Sequence, residues 1–149
     1  MAKISSISLP PKKGTAKALI KAVRKALKTA YAPYSKIAVG AALYCANGDI
    51  YTAGNIENCS YSLTMCAERI ALFKAISEGS KDFQLLLVYS PQIDYIMPCG
   101  ACLQVLKEFA PDIVIATMNK HNEFHFYPLK TLLANPFCIE SEVSDLRRE

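Results

Sequence analysis

No acidic residue precedes Asp49 in this 149-residue chain. Every charged side chain before it is basic, including Lys12, Lys13, Lys17, Lys21, Arg24, Lys25 and Lys28. The remainder is net acidic, although the whole carries +4. Such an asymmetry can mark nucleic-acid binding. Here no aromatic or glycine pattern supports a strand-binding groove, so the basic residues read as the polar side of one surface helix. No specific nucleic-acid partner is expected. Nor does any apolar run approach the roughly 18 residues that cross a bilayer. The first eleven residues lack a long apolar stretch after a basic start. Neither a membrane span nor a secretory signal is therefore expected, and the reading is a cytoplasmic protein. No repeat or linker divides the chain, and residues 1–149 are expected to form one domain. Its two histidines, His121 and His125, have no motif context tying them to a thiol. That argues against a cysteine nucleophile activated by a neighbouring base.

Against these absences stand six cysteines and a sequence that is 52% hydrophobic. A chain of this length can bury a core without disulfides. Three cysteines fall into a metal pattern instead. Pro98-Cys99-Gly100-Ala101-Cys102 places two thiols three apart, with a glycine between, at the start of a helical segment. A third thiol lies upstream in Cys66-Ala67-Glu68. Cys45, Cys59 and Cys138 are left as buried or incidental residues.

The coarse pattern along the chain is mixed. Ser8 to Gly14, with Pro10-Pro11, reads as a turn. Ala18, Leu19, Ala22, Val23, Ala26, Leu27 and Ala30 recur at helical spacing, predicting a helix over 15–30 with Thr15 as its cap. Pro33 ends it. An apolar run over 39–45, the Asn47-Gly48 turn and residues 50–53 predict an antiparallel hairpin. Small residues at Gly40, Ala41 and Ala42 leave space on the sheet for a helix or a ligand. A polar loop over 54–63 leads into a mostly apolar helix over 65–78, with Thr64 as a plausible cap. A strand over 83–89, a helix over 99–109 and a strand over 113–118 predict a right-handed parallel crossover. A short strand over 124–127, a helical turn over 129–133 and a frayed charged tail complete the chain. The expected fold is α/β, a three-layer α-β-α sandwich with a mixed five-stranded sheet.

Three thiolates leave one position open on a tetrahedral zinc, which is what a catalytic site needs to hold water. The free N–H groups of a helix start favour negative charge and would lower the pKa of Cys66. Glu68 is placed to move protons between that water and a substrate. A C-x-E element paired with P-C-x-x-C reads as the site of a zinc-dependent hydrolytic deaminase. Arg69, three residues after Cys66 and on the same helix face, is expected to donate to the thiolate sulfurs. The rival is a closed structural zinc, with Cys59, His121 or His125 as fourth ligand.

The residues resemble the small, homotetrameric cytidine deaminases over nearly the whole chain. Ala32-Pro33-Tyr34-Ser35, Val39-Gly40-Ala41-Ala42, Asn55-Ile56-Glu57-Asn58, Cys66-Ala67-Glu68-Arg69, Ala71-Leu72-Phe73-Lys74-Ala75 and the Pro98–Cys102 stretch carry the resemblance. It implies a cytidine deaminase-like fold and one Zn²⁺ per subunit on Cys66, Cys99 and Cys102, with Glu68 as the proton shuttle. It implies that Asn55 and Glu57 bind the ribose hydroxyls and that main-chain groups around Ala67 contact the cytosine ring. Phe137 resembles an aromatic that reaches a neighbouring subunit's pocket, and Tyr61 a residue near the subunit boundary. The implied reaction is deamination of free cytidine and 2′-deoxycytidine in pyrimidine salvage. Three positions depart from the family. Ile37 stands where phenylalanine is usual beside the nucleoside, Gly54 where many members carry cysteine, and Leu103 where many carry arginine. A related enzyme acting on a cytosine-containing antibiotic of the blasticidin-S type is the nearest alternative.

Overall fold

A computed structural model gives the fold and describes residues 14–139. The Pro10-Pro11 turn, Lys12, Lys13 and the charged final residues lie outside the described residues. Helix α1 (Thr15–Ala26) runs into a 3-10 turn at Leu27–Thr29. Strands β1 (Gly40–Cys45) and β2 (Ile50–Gly54) form the expected hairpin, and helix α2 (Ala67–Ser77) follows. Then come β3 (Phe83–Tyr89), α3 (Gly100–Phe109), β4 (Val114–Met118), β5 (Phe124–Pro128) and the short α4 (Leu129–Leu132).

The five strands make one sheet in the order β2-β1-β3-β4-β5. Only β3 and β4 are parallel, joined through α3; the other pairs are antiparallel. Gly48 turns the first hairpin at φ 95, a left-handed conformation that glycine adopts without steric cost.

Strands with apolar residues on both faces need cover on both sides. Ala42, Tyr44, Leu85, Leu87, Tyr89, Ala116 and Met118 face Leu19 and Val23 of α1. The alternate residues Ala41, Leu43, Leu86, Val88 and Ile115 pack on the other side against Ala71 and Leu72 of α2, Leu103 and Leu106 of α3, and Leu129 of α4. Period-two alternation thus builds two cores, and the three-layer sandwich follows. Each fully buried leucine, such as Leu72, Leu86 or Leu106, contributes about 1.5–3 kcal/mol relative to exposure.

The space beside Gly40 is filled by α1. A Cβ at Gly40 would meet the Val23 carbonyl oxygen at 2.6 Å, and one at its cross-strand partner Gly54 would meet the Ala30 nitrogen at 2.6 Å and the Ala26 oxygen at 2.9 Å. Gly54 therefore lets the end of α1 seat directly on the sheet, where a cysteine side chain would not fit without a backbone shift.

Two expected caps are corrected. The residue capping α1 is Gly14, with Thr15 already helical and no side-chain cap bond. Thr64 does not cap α2. Its hydroxyl accepts the Asn58 N–H at 3.1 Å, and the N-cap position belongs to Cys66.

Substituting Gly54 by alanine should destabilise the fold by about 1–3 kcal/mol, the usual penalty for overpacking against atoms that cannot yield. Denaturant unfolding checks this. An unchanged midpoint would mean that the α1 contact is looser than described.

Candidate active site

Helices α2 and α3 both begin with a cysteine at the N-cap. Cys66 (φ −71, ψ 148) and Cys99 (φ −72, ψ 165) are extended, and neither helix has a side-chain cap bond. Their carbonyls accept the first helical hydrogen bonds, from Ile70 at 3.2 Å and Leu103 at 3.0 Å. The preceding chain fixes where α2 starts. Ile56 and Met65 exchange both main-chain hydrogen bonds at 2.9 Å, and Ile56 also bridges Tyr31. This small three-stranded knot holds Cys66 next to the end of β2. Single bridges have no periodicity, so the sequence pattern could not show them.

Cys66, Cys99 and Cys102 come together with their sulfurs all within 4.8 Å of one another. Cys66 Sγ lies 3.8 Å from Cys99 Sγ, which is 3.5 Å from Cys102 Sγ. Sulfurs on a tetrahedral zinc at ordinary Zn–S length stand about 3.8 Å apart. The trio therefore fits that ion, and its thiol chemistry suits it. His121 lies in the turn before β5 and His125 on β5. Among the described residues, neither these histidines nor Cys59 joins the cluster.

Before a metal binds, the Cys66 thiol is strongly acidified. The Cys102 thiol donating to it is the chief cause, supported by Arg69 and Cys99, and its pKa falls to about 5. Cys102 keeps its proton, held by the same bond and by burial. Arg69 Nη2 points at Cys66 Sγ at 3.8 Å and donates to the Thr64 carbonyl at 3.2 Å. Leu103 is buried in the core between α2 and α3.

Glu68, in the first turn of α2, is 4% exposed. Desolvation is the main cause that raises its pKa to about 7, with the Cys66 charge adding to it. A carboxyl poised there can give or take a proton at neutral pH. Ala67, the first residue of α2, is fully buried.

A second cluster surrounds the end of β2. The buried Asn55 accepts the Val39 N–H at 2.9 Å on Oδ1 and donates from Nδ2 to the Ile37 carbonyl at 3.0 Å. The Glu57 carboxylate accepts the Tyr34 N–H at 2.8 Å, the Ser35 N–H at 3.3 Å, and the Ser35 hydroxyl. The Ser35 hydroxyl and these main-chain donors hold its pKa below the usual range. Ser35 Oγ also accepts the Ile37 N–H at 3.0 Å. Ile37, Asn55 and Glu57 thus belong to one hydrogen-bonded unit. Ser35, quoted above within the Ala32–Ser35 stretch without a site role, joins them; its position in the turn after Pro33, a common place for side-chain-to-backbone bonding, is the available signal. Tyr61 is exposed, its ring 5.8 Å from that of Tyr34. Phe137 stands apart, its ring exposed and its main chain bonded to Gln104.

The arrangement defines a class: three clustered thiols able to hold a metal ion, with a buried carboxyl nearby, on one face of an α-β-α sandwich. The comparisons give the family. Residues 13–118 match the model described as the cytidine and deoxycytidylate deaminase zinc-binding region. The chain belongs to that family, and zinc is its cofactor. A cytidine deaminase of Sporosarcina psychrophila is 52% identical over 61% of this chain and 67% of its own. One from Halalkalibacterium halodurans is 42% identical over 82% of this chain and 93% of its own. The crystal structure of cytidine deaminase from Burkholderia pseudomallei superposes with a TM-score of 0.77 at 39% identity, covering 81% of this chain and 98% of that one.

The Glu68 environment has a pH signature in protein stripped of metal. The unfolded chain ionises this group near 4.5, whereas the folded chain holds the proton until about 7. The unfolded state then binds fewer protons in between, so its contribution to stability falls as pH rises through that window. Glu68→Gln removes the fall. Thermal melting should show the variant gaining on the parent from pH 4.5 to 7 and levelling off above. A pH-independent difference would contradict the assigned environment.

Proposed function

We propose that this chain, as one catalytic domain over residues 1–149, catalyses the hydrolytic deamination of cytidine and 2′-deoxycytidine to uridine and 2′-deoxyuridine, releasing ammonia. The observation that carries the reading is the buried Glu68 carboxyl, two residues past a sulfur of the three-thiol cluster. Cys66, Cys99 and Cys102 would hold one zinc ion per subunit, which when bound would supply a water of lowered pKa.

The remaining work belongs to the chain. C4 of cytosine is a poor electrophile until its ring nitrogen is protonated. Glu68 takes a proton from the water and delivers it to N3 while the water oxygen bonds to C4. The proton of the new C4 hydroxyl then passes through Glu68 to the exocyclic amine, the C–N bond breaks as the C4 carbonyl forms, and ammonia leaves. One carboxyl serves each transfer because it stays beside both partners. Arg69 tempers the negative charge of the sulfurs.

Main-chain groups around Ala67 meet the base, and Ile37 packs beside the nucleoside. Asn55 retains one N–H and one lone pair beyond its internal bonds, and Glu57 keeps acceptor capacity beside Ser35; both suit sugar hydroxyls. An ionised Glu57 disfavours a nearby 5′-phosphate, which selects free nucleosides. Exposed Tyr34, Tyr61, Leu63 and Phe137 supply apolar surface for subunit contacts in a homotetramer. Phe137 reaches a neighbouring pocket and Tyr61 lies at the boundary. Pyrimidine salvage in the cytoplasm is the setting. Among the described residues no helix is long and apolar enough to cross a membrane, and no specific nucleic-acid partner is required.

Ultraviolet assay of the zinc-loaded protein should show turnover of cytidine and deoxycytidine, with CMP and blasticidin S far slower. Glu68→Ala should keep its zinc and fold while kcat falls by about 10²–10⁴-fold. Near-full turnover in that variant would remove Glu68 from the chemistry. Silence of the parent on both nucleosides would remove the substrate assignment.

A further inference from the structure

Gln104, two residues past Cys102 on α3, makes a contact that the proposed reaction leaves unused. Its Nε2 donates to the Phe137 carbonyl at 2.8 Å, and its Oε1 accepts the Phe137 N–H at 3.1 Å. One side-chain amide thus satisfies both main-chain groups of one residue, and two bonds fix orientation as well as distance. The Phe137 ring is nevertheless 74% exposed. Immobilising a glutamine costs side-chain entropy, yet the aromatic it pins buries little against its own chain. Gln104 shares its helix face with Gly100 and Ala101, four and three residues earlier. Both are exposed, and a Cβ at Gly100 would meet nothing within 4 Å. The clamp therefore sits on the open side of the turn that carries Cys99 and Cys102.

We infer that Gln104 is a positioning residue: by holding the Phe137 main chain it presents the exposed ring as an apolar wall for a nucleoside bound in the neighbouring subunit. The inference rests on the nucleoside reading of the site. Gln104 touches neither substrate nor metal and acts through Phe137 alone. Such a wall contributes equally to ground state and transition state, so its loss raises KM and spares kcat.

The test compares Gln104→Leu, Gln104→Glu, Phe137→Ala and the Gln104→Leu/Phe137→Ala double variant in the zinc-loaded enzyme. Hydrogen exchange of the segment around Phe137 reports the clamp directly, and cytidine kinetics report its use. Gln104→Leu should speed exchange there and raise KM roughly three- to tenfold, the scale of one aromatic contact, with kcat and zinc content held. Gln104→Glu keeps the acceptor for the N–H and loses the donor, and should fall between. The double variant should be no worse than Phe137→Ala. Faster exchange with unchanged KM, while Phe137→Ala raises KM, would overturn the clamp and leave the nucleoside reading intact. A fall in kcat at constant KM would overturn it too. A parent inert on cytidine would overturn both.

Discussion

Negative charge gathered at the starts of two helices is the constraint on which this structure depends. Cys66 and Cys99 stand at the N-cap positions of α2 and α3, with no side-chain cap bond to either first turn. The free N–H groups of a helix start favour negative charge nearby. The sheet brings the two starts together. Helix α2 enters it after the β1–β2 hairpin, α3 joins the parallel pair β3 and β4, and both pack on one face. A carboxyl in the first turn of α2 is then buried beside a thiolate, and the same burial raises its pKa into the working range.

The substrate side depends on the knot of Tyr31, Ile56 and Met65. It joins the turn after α1, the end of β2 and the approach to Cys66. Glu57 follows Ile56 and is gripped by Tyr34 and Ser35 from the first of those segments. Asn55 precedes it and fixes the backbone at Ile37 and Val39. The proposed sugar contacts and the metal cluster are therefore held by one short stretch of main-chain pairing. A shift in any of its three strands would move both.

Much of this was legible because it obeys simple periods. The apolar runs at 39–45, 83–89 and 113–118 read as strands, the first apolar on both sides, and the α1 pattern separates an apolar face from a basic one. The three cysteines read as a metal centre because Cys66-Ala67-Glu68 and Pro98–Cys102 match the pattern of a zinc deaminase site. What escaped the sequence were contacts without a period. Thr64 looked like a cap because a hydroxyl before a helix usually is one, but its oxygen is used by Asn58 while the cysteine takes the cap position. The bond of Gln104 to Phe137 carries no signal in the sequence, since the partners lie 33 residues apart. The close seating of Ala30 on Gly54 could not be told from a flexible glycine at a strand end.

The central claim is an open thiolate site, in which three sulfurs hold the ion and leave one position for water. X-ray absorption at the zinc edge tests it most directly. The account predicts three sulfur ligands at about 2.3 Å and one oxygen at about 2.0–2.2 Å, with the oxygen contribution changing when a transition-state analogue of hydrated cytosine is added. Four sulfurs, or three sulfurs and an imidazole nitrogen indifferent to the analogue, would make the zinc structural and contradict the account.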